Sequence, residues 1–364
     1  MKIIQLIYAL GPGGAEKFVV NLSNELSNAG HDVTVCILRT DQIPLRTYLK
    51  KELAPNIKFH SCQLEPGFSL KKAKTVAGFI LSEKPDIVHC HLNVIPYIYK
   101  LAFFHKEIRF IHTIHNIAEH ASGGRFQRHI NKFFYKTRRI IPVTISKICQ
   151  QSFEHSYHLN NIARIDNGCP IPEKTSRFND VKKEIDSYRS DNDTKVFLHV
   201  ARCYPQKNQT LLIESFNRLD SEGINFALLC IGIGFNSDKG KELQKLACSK
   251  IHFLGEKDNV GDYLYNADAF CLSSTFEGLP ISLIEAMACG VTPICTAVGG
   301  IPDVVTDGET GYLCPTLSVD DYVNCIHRYL QNPLSKATIE SAFKNSFSME
   351  KCANKYLEIY TQGK

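Results

Sequence analysis

Short apolar runs and longer stretches of helical spacing alternate along this chain, twice over, with a single interruption near the middle. In the first half, residues 2–9, 32–38, 57–60, 86–89, 110–114, 140–145 and 162–165 read as strands. Helices are expected after Gly13, with Ala15, Phe18, Val19, Leu22 and Leu26 on one face and Gly30 at the end, over residues 69–83, and after Ser146, which can cap it. Continuous apolar runs, as opposed to alternating ones, belong to strands buried on both faces of a parallel sheet. Residues 174–194 are polar and weakly patterned, which puts a domain boundary there. The rhythm then restarts, with strands at 196–200, 226–231, 251–254, 269–272 and 291–296. Helices are expected at 208–219, 239–249, 281–288, 319–330 and 349–360. Such a chain folds as two doubly wound, Rossmann-like α/β domains. Ligands of such sheets sit outside the carboxyl ends of the strands, so domains facing one another would place an active site in the cleft they share.

Length and composition agree with that outline. A chain of 364 residues suits two domains, and 44% apolar with 22% charged residues is ordinary for a water-soluble fold. The fourteen cysteines are scattered singly with no Cys-x-x-Cys pair, and several lie in apolar strands. They read as reduced, buried thiols of a cytoplasmic protein. The first ten residues are too quickly broken for a signal peptide, and no run approaches the roughly 20 apolar residues of a membrane span. Charge is uneven: residues 1–170 hold 22 Lys and Arg against 12 Asp and Glu, the remainder 20 against 25. The basic first half is expected to meet something anionic, with clusters at Lys71, Lys72 and Lys74, at Arg125 to His129, and at Lys132, Lys136, Arg138 and Arg139. Aromatics are not interleaved with these charges as in a single-strand nucleic-acid binder, so nucleic acid is not expected. An anionic membrane surface fits, and so does a merely solvated face.

Within the second half, Phe276-Glu277-Gly278-Leu279-Pro280-Ile281-Ser282-Leu283-Ile284-Glu285 places two carboxylates with seven residues between them. The stretch follows an apolar strand and the polar Ser273-Ser274-Thr275. Gly278 is expected to take a positive φ, and Pro280 to open a helix. A helix start offers free N–H groups to a phosphate, whereas carboxylates beside it would repel one. Glu277 and Glu285 are therefore expected to accept hydrogen bonds from sugar and ribose hydroxyls. A nucleotide-sugar meets both demands; ordinary solvated glutamates on a surface helix are the plainer alternative.

Other strand ends add to this. Gly11-Pro12-Gly13-Gly14-Ala15-Glu16 is a glycine-rich turn at a helix N-terminus, as apt for close helix–strand packing as for phosphate. It lacks Gly-x-Gly-x-x-Gly, which disfavours a dinucleotide dehydrogenase. Arg202 and Lys207, in the loop after 196–200, suit a diphosphate, the first as a fork and the second as a point charge. His115, followed by Asn116 at a strand's carboxyl end, is the histidine expected in the cleft; His89, His91 and His112 read as structural. No zinc spacing, Walker sequence or Gly-x-Ser-x-Gly elbow is present, and Asp191-Asn192-Asp193 reads as solvated loop.

Taken together, Gly13-Gly14-Ala15-Glu16, His115-Asn116, Arg202 with Lys207-Asn208, Phe253-Leu254-Gly255 and Glu277 to Glu285 resemble glycosyltransferase family 4, the retaining enzymes of the GT-B fold. The resemblance spans nearly the whole chain. It implies an acceptor-side domain at 1–173, a nucleotide-sugar-binding domain at 174–346, and a final helix at 347–364 that crosses back to the first. It implies that Glu285 holds the ribose and that Glu277 meets the donor sugar near its reacting face, while His115 contacts the sugar. Arg202 and Lys207 would hold the diphosphate with backbone near Gly14, Gly278, Leu279 and Pro280. Gly255 and Glu256 would lie near the base. Ile233 stands where the family places an acidic residue between glycines. The implied reaction moves a sugar, from a UDP-sugar in the first instance, to a glycan or lipid-linked acceptor in cell-surface polysaccharide synthesis. No cofactor or metal is expected besides the nucleotide-sugar, and the setting expected is the cytoplasm or the inner membrane face. A nucleotide-sugar epimerase of the same fold and a non-catalytic nucleotide-sugar-binding module are the alternatives.

Overall fold

The computed structural model describes residues 1–118, 123–160 and 162–362. The chain forms two compact units, Met1–Cys169 with Met349–Lys364, and Pro170–Ser348.

The first unit carries a parallel sheet of seven strands: β1 (Lys2–Ile7), β2 (Asp32–Arg39), β3 (Lys58–Leu64), β4 (Ile87–His91), β5 (Arg109–Ile114), β6 (Ile141–Thr144) and β7 (Ala163–Arg164). Their order across the sheet is β3-β2-β1-β4-β5-β6-β7. Direction reverses between β1 and β4, which pair in parallel with Ile4 opposite Val88. The helices are α1 (Gly14–Asn28), α2 (Leu70–Glu83), α3 (Tyr99–Phe104), α4 (Arg125–Lys136) and α5 (Lys147–Tyr157). Local chemistry sets their ends. The Ser69 and Ser146 hydroxyls accept from the N–H groups of Lys72 and Cys149, and Lys84 and His158 end α2 and α5 in the left-handed region.

The second unit carries six parallel strands: β8 (Lys195–Val200), β9 (Phe226–Ile231), β10 (Ile251–Gly255), β11 (Ala269–Leu272), β12 (Thr292–Thr296) and β13 (Tyr312–Cys314). Their order is β10-β9-β8-β11-β12-β13, with the reversal between β8 and β11. Its helices are α6 (Phe178–Ser187), α7 (Gln209–Ser221), α8 (Asp238–Leu246), α9 (Val260–Asn266), α10 (Ile281–Ala288), α11 (Val319–Gln331) and α12 (Lys336–Ser346). Helix α6 occupies the stretch expected to be weakly patterned. Val181 and Ile185, one turn apart, are buried, and the Tyr263 hydroxyl of α9 donates to Glu184 at 2.7 Å. Val181, Ile185 and the half-buried Phe178 make three apolar side chains in ten residues, too thin a signal to announce a helix whose remaining residues are mostly charged or polar.

The last helix, α13 (Met349–Thr361), belongs to the first unit. Tyr356 and Tyr360 are fully buried there, the first 6.0 Å from the Phe18 ring and 2.8 Å from the Thr113 hydroxyl, the second 2.7 Å from His89 Nδ1. All fourteen cysteines are free thiols. Twelve are buried, in keeping with small apolar packing residues.

Candidate active site

In a doubly wound sheet the crevice opens where the strand order reverses. In the second unit that point lies between β8 and β11, and the loops carrying Lys207 and Glu277 leave the carboxyl ends of those two strands. A lattice of hydrogen bonds joins them. The Thr275 N–H donates to the Gln206 carbonyl at 2.8 Å, the Gln206 side-chain amide donates to the Phe276 carbonyl at 2.7 Å, and the Ser273 hydroxyl reaches the carbonyls of Lys207 and Asn208 at 3.0 Å. Asn208 takes a left-handed conformation at φ 48°, turning the chain from the loop into α7.

Glu277 is 6% exposed. Its Oε1 accepts from Lys207 Nζ at 2.5 Å and from the Ser274 hydroxyl at 2.6 Å. A buried carboxylate needs such partners, because an isolated charge away from water is costly. Both bonds converge on one oxygen. The Glu277 carbonyl accepts from the Gly300 N–H at 3.0 Å, and Gly299 lies so close that a Cβ there would fall 1.7 Å from that carbonyl oxygen. Gly299 also has a φ of +57°, so the backbone freedom expected at Gly278 is used at Gly299 instead; Gly278 is not among the glycines with positive φ. The turn is shaped by the loop packed against it, which local sequence does not reveal.

Pro280 sits at the N-cap of α10 with an extended backbone and no side-chain cap. Ile281, Ser282 and Leu283 follow, and their N–H groups lie outside the helix's own ladder, a favourable place for an anion. Leu279 and Pro280 are buried, and Glu285 is half-buried on the same side of α10 as Ser282. Arg202 is exposed, and its guanidinium makes no hydrogen bond or ion pair with the described residues. Its backbone is fixed: the Arg202 carbonyl accepts from the Gln209 amide at 2.9 Å, and the neighbouring Cys203 N–H donates to the Ile233 carbonyl at 2.8 Å. Residue 233 thus supports the Arg202 loop through its main chain. Gly232 supplies the close approach, since a Cβ there would lie 2.0 Å from the Ala201 carbonyl oxygen. Gly255, at the end of the edge strand β10, accepts from the Gly232 N–H at 2.8 Å, and Glu256 beside it is exposed.

The first unit holds the remaining candidates, Gly13 and Gly14 at its own reversal point and His115 and Asn116 after the neighbouring β5. Gly13 and Gly14 follow β1 at the start of α1, with no side-chain cap. The Glu16 carboxylate folds against Gly13, where a Cβ would lie 2.2 Å from its oxygen. An anion at this turn would have to displace that carboxylate, which makes it a poorer phosphate site than the start of α10. Asn116 caps its own turn, its side-chain oxygen accepting from the Ile117 N–H at 2.8 Å.

His115 is half-buried and tied into a chain: His115 Nε2 lies 3.0 Å from His91 Nδ1, and His91 Nε2 lies 2.7 Å from Gln5 Oε1. With the Gln5 oxygen accepting, His91 carries its proton on Nε2 and accepts at Nδ1 from His115 Nε2–H. That leaves His115 Nδ1 as a bare acceptor. Both rings are neutral: desolvation and the neighbouring His112 push His115 down to about 3, and desolvation followed by His89 holds His91 well below the usual range. His89 and His112 are likewise satisfied, by Tyr360 and Thr113 and by Tyr135 and the Leu92 carbonyl.

Sequence reasoning named Glu277, Lys207, Arg202 and His115 as candidates; the structure pairs Glu277 with Lys207 and ties His115 to His91. Sequence reasoning missed Ser274, Gln206, Gly299 and His91 as their supports. Nothing local marks these residues; only the pairing of distant loops gives them a task. Asp191 is more than solvated loop, since its side chain accepts from the N–H groups of Asp193 and Thr194 and from Asn225.

The geometry defines two doubly wound α/β units, each with polar loops at its reversal point. Solved structures share that architecture. A glycosyltransferase from Rickettsia africae aligns with a TM-score of 0.80 at 20% identity, over 99% of this chain and 97% of that one. Anabaena HepE, solved with UDP and glucose, aligns with a TM-score of 0.78 at 17% identity over the full length of both chains. This is the GT-B fold. A family model described as Glycosyltransferase Family 4 matches residues 12–171, and one described as Glycosyl transferases group 1 matches residues 180–345. N-acetyl-alpha-D-glucosaminyl L-malate synthase of Bacillus anthracis is 26% identical over 96% of this chain and 93% of its own length. The chain belongs to glycosyltransferase family 4, and it is a glycosyltransferase.

Proposed function

We propose that this enzyme transfers a sugar from UDP to a glycan or lipid-linked acceptor of the cell surface, with retention of configuration at the sugar. One observation supports the donor assignment above the others: a buried carboxylate, Glu277, and its cation, Lys207, meet at the reversal point of the second sheet, where α10 starts uncapped and the loop of Lys207 also carries Arg202, unpaired among the described residues. The likeness to HepE, whose structure holds UDP and glucose, is consistent with UDP.

In this reading Arg202, Lys207 and the N–H groups opening α10 take the diphosphate, joined by the backbone of Gly278, Leu279 and Pro280. Glu285 takes the ribose hydroxyls, and Gly255 and Glu256 border the base. Glu277 offers its second oxygen to a sugar hydroxyl, while His115 Nδ1 accepts from a substrate hydroxyl. The bond between the anomeric carbon and the phosphate oxygen breaks, and its electron pair leaves with the diphosphate. Cations and helix dipole are worth most there, because the negative charge grows as the bond breaks. The acceptor oxygen bonds to the same face of that carbon, and its proton passes to the departing phosphate. No cofactor enters this scheme.

A thermal-shift screen over nucleotide-sugars, followed by mass spectrometry of products with and without acceptor, tests it. Stabilisation by a UDP-sugar and acceptor-dependent release of UDP are expected. Isomerised donor without acceptor would indicate an epimerase, and binding without turnover a carrier module.

A further inference from the structure

Helix α4 carries Arg125, Arg128, Lys132 and Lys136 and no carboxylate. Its inner side is held by buried Asn131, Phe134 and Tyr135. Its outer side shows Phe126, 80% exposed, and Phe133, 48% exposed, seven residues apart and so on one line of the helix. Phe133 does not stand alone. Its ring centre lies 6.5 Å from Phe103, which lies 5.0 Å from Phe104, 66% exposed, and the Arg139 guanidinium covers the Phe103 ring at 4.8 Å. Beside these rings a cleft of about 470 Å³ is bordered by Lys106, Arg109, Arg138 and Arg139. Its single carboxylate, Glu107, is paired with His105 at 2.6 Å. From residue 99 to 139 the described residues include nine lysines and arginines against that one acid.

We propose that this face of the first unit docks on an anionic lipid bilayer, with the phenylalanines in the interfacial zone and the cationic cleft on lipid phosphate. Water-exposed phenylalanines beside unopposed cations are unfavourable on a free surface, and the headgroup boundary satisfies both at once. The alternative anionic polymer is single-stranded nucleic acid, which needs open ring faces for stacking. Here Phe103 is engaged with Phe104, Phe133 and Arg139, so the rings form a wedge more than a set of platforms. No helix among the described residues is long and apolar enough to cross a membrane, so the contact would be peripheral. The inference rests on the proposed reading only for its context, a lipid-linked acceptor held at such a surface.

The test is co-sedimentation of the full-length protein with vesicles of equal parts phosphatidylglycerol and phosphatidylcholine, and with phosphatidylcholine alone, at low and high salt. Binding to the anionic vesicles alone, weakened by salt, is expected. The double variant Phe104→Ser/Phe126→Ser should lower that binding at least about tenfold, as should Lys106→Glu/Arg138→Glu. These side chains are exposed or border the open cleft, and a circular-dichroism melt confirms that each variant folds. A single-stranded oligonucleotide is run in parallel. Equal binding of wild type and folded variants, binding to neutral vesicles alone, or displacement from lipid by the oligonucleotide overturns the proposal. UDP-sugar binding, measured without vesicles, separates the two ideas. Its loss with vesicle binding intact would sink the transferase reading only, and the converse would sink the docking only.

Discussion

At Glu277 a carboxylate is held by a lysine 70 residues away in the chain and by a serine three residues away. The acids and cations were legible in the sequence because reactive residue types clustered at strand ends. Their pairing was not, since Lys207 and Glu277 meet only when β8 and β11 lie side by side. Glu277→Gln keeps the shape and removes the charge. Transfer should fall about 10²–10³-fold with the fold intact, checked by product release and a circular-dichroism melt, because the group acts where charge develops. Undiminished transfer in a folded variant would remove the role. His115 carries a second prediction. If Gln5 and His91 set its tautomer, ¹⁵N NMR of the wild type shows a proton on Nε2 and none on Nδ1. In Gln5→Leu the two tautomers should mix and kcat should fall, with KM for the donor unchanged. An unaltered His115 spectrum in that variant would break the relay.

Elements follow a similar division. Every long apolar run became a strand within a few residues of its expected limits, because burial on both faces of a parallel sheet leaves a signal that needs no partner to recognise. The three-residue β13 and the short helices α3 and α9 were too brief to show a period, and α6 offered only Phe178, Val181 and Ile185. The turn before α10 was expected to depend on Gly278, yet the strained position is Gly299 in the loop after β12. Gly299→Ala should therefore destabilise the second unit by about 1–3 kcal/mol, since a positive φ is forced on a residue with a Cβ that must also push back the Glu277 carbonyl. Urea unfolding and UDP binding read this out. An unchanged midpoint with unchanged binding would show that the loop yields freely.

For the molecule as a whole, buried histidines set a pH dependence. Desolvation lowers His89 and His91 well below the usual range and takes His112 and His199 down to about 4. Unfolded, each returns to about 6.5. Between those values the unfolded chain binds protons that the native chain does not, so stability is full above about pH 6.5 and is lost as pH falls toward about 4. Each histidine adds up to about 1.4 kcal/mol per pH unit to that slope. The thermal midpoint should fall steadily below about pH 6.5, and a flat profile down to about pH 4.5 would contradict the burial described. The account as a whole turns on the reversal point of the second sheet being the diphosphate site. Calorimetric titration of UDP into the wild type and into Arg202→Ala tests this most directly. Arg202 is exposed and its guanidinium has no partner among the described residues, so its loss leaves the fold alone. Binding in the wild type with Kd raised about 10–100-fold in the variant is the predicted result; equal affinity in both, or no binding of UDP to either, would contradict it.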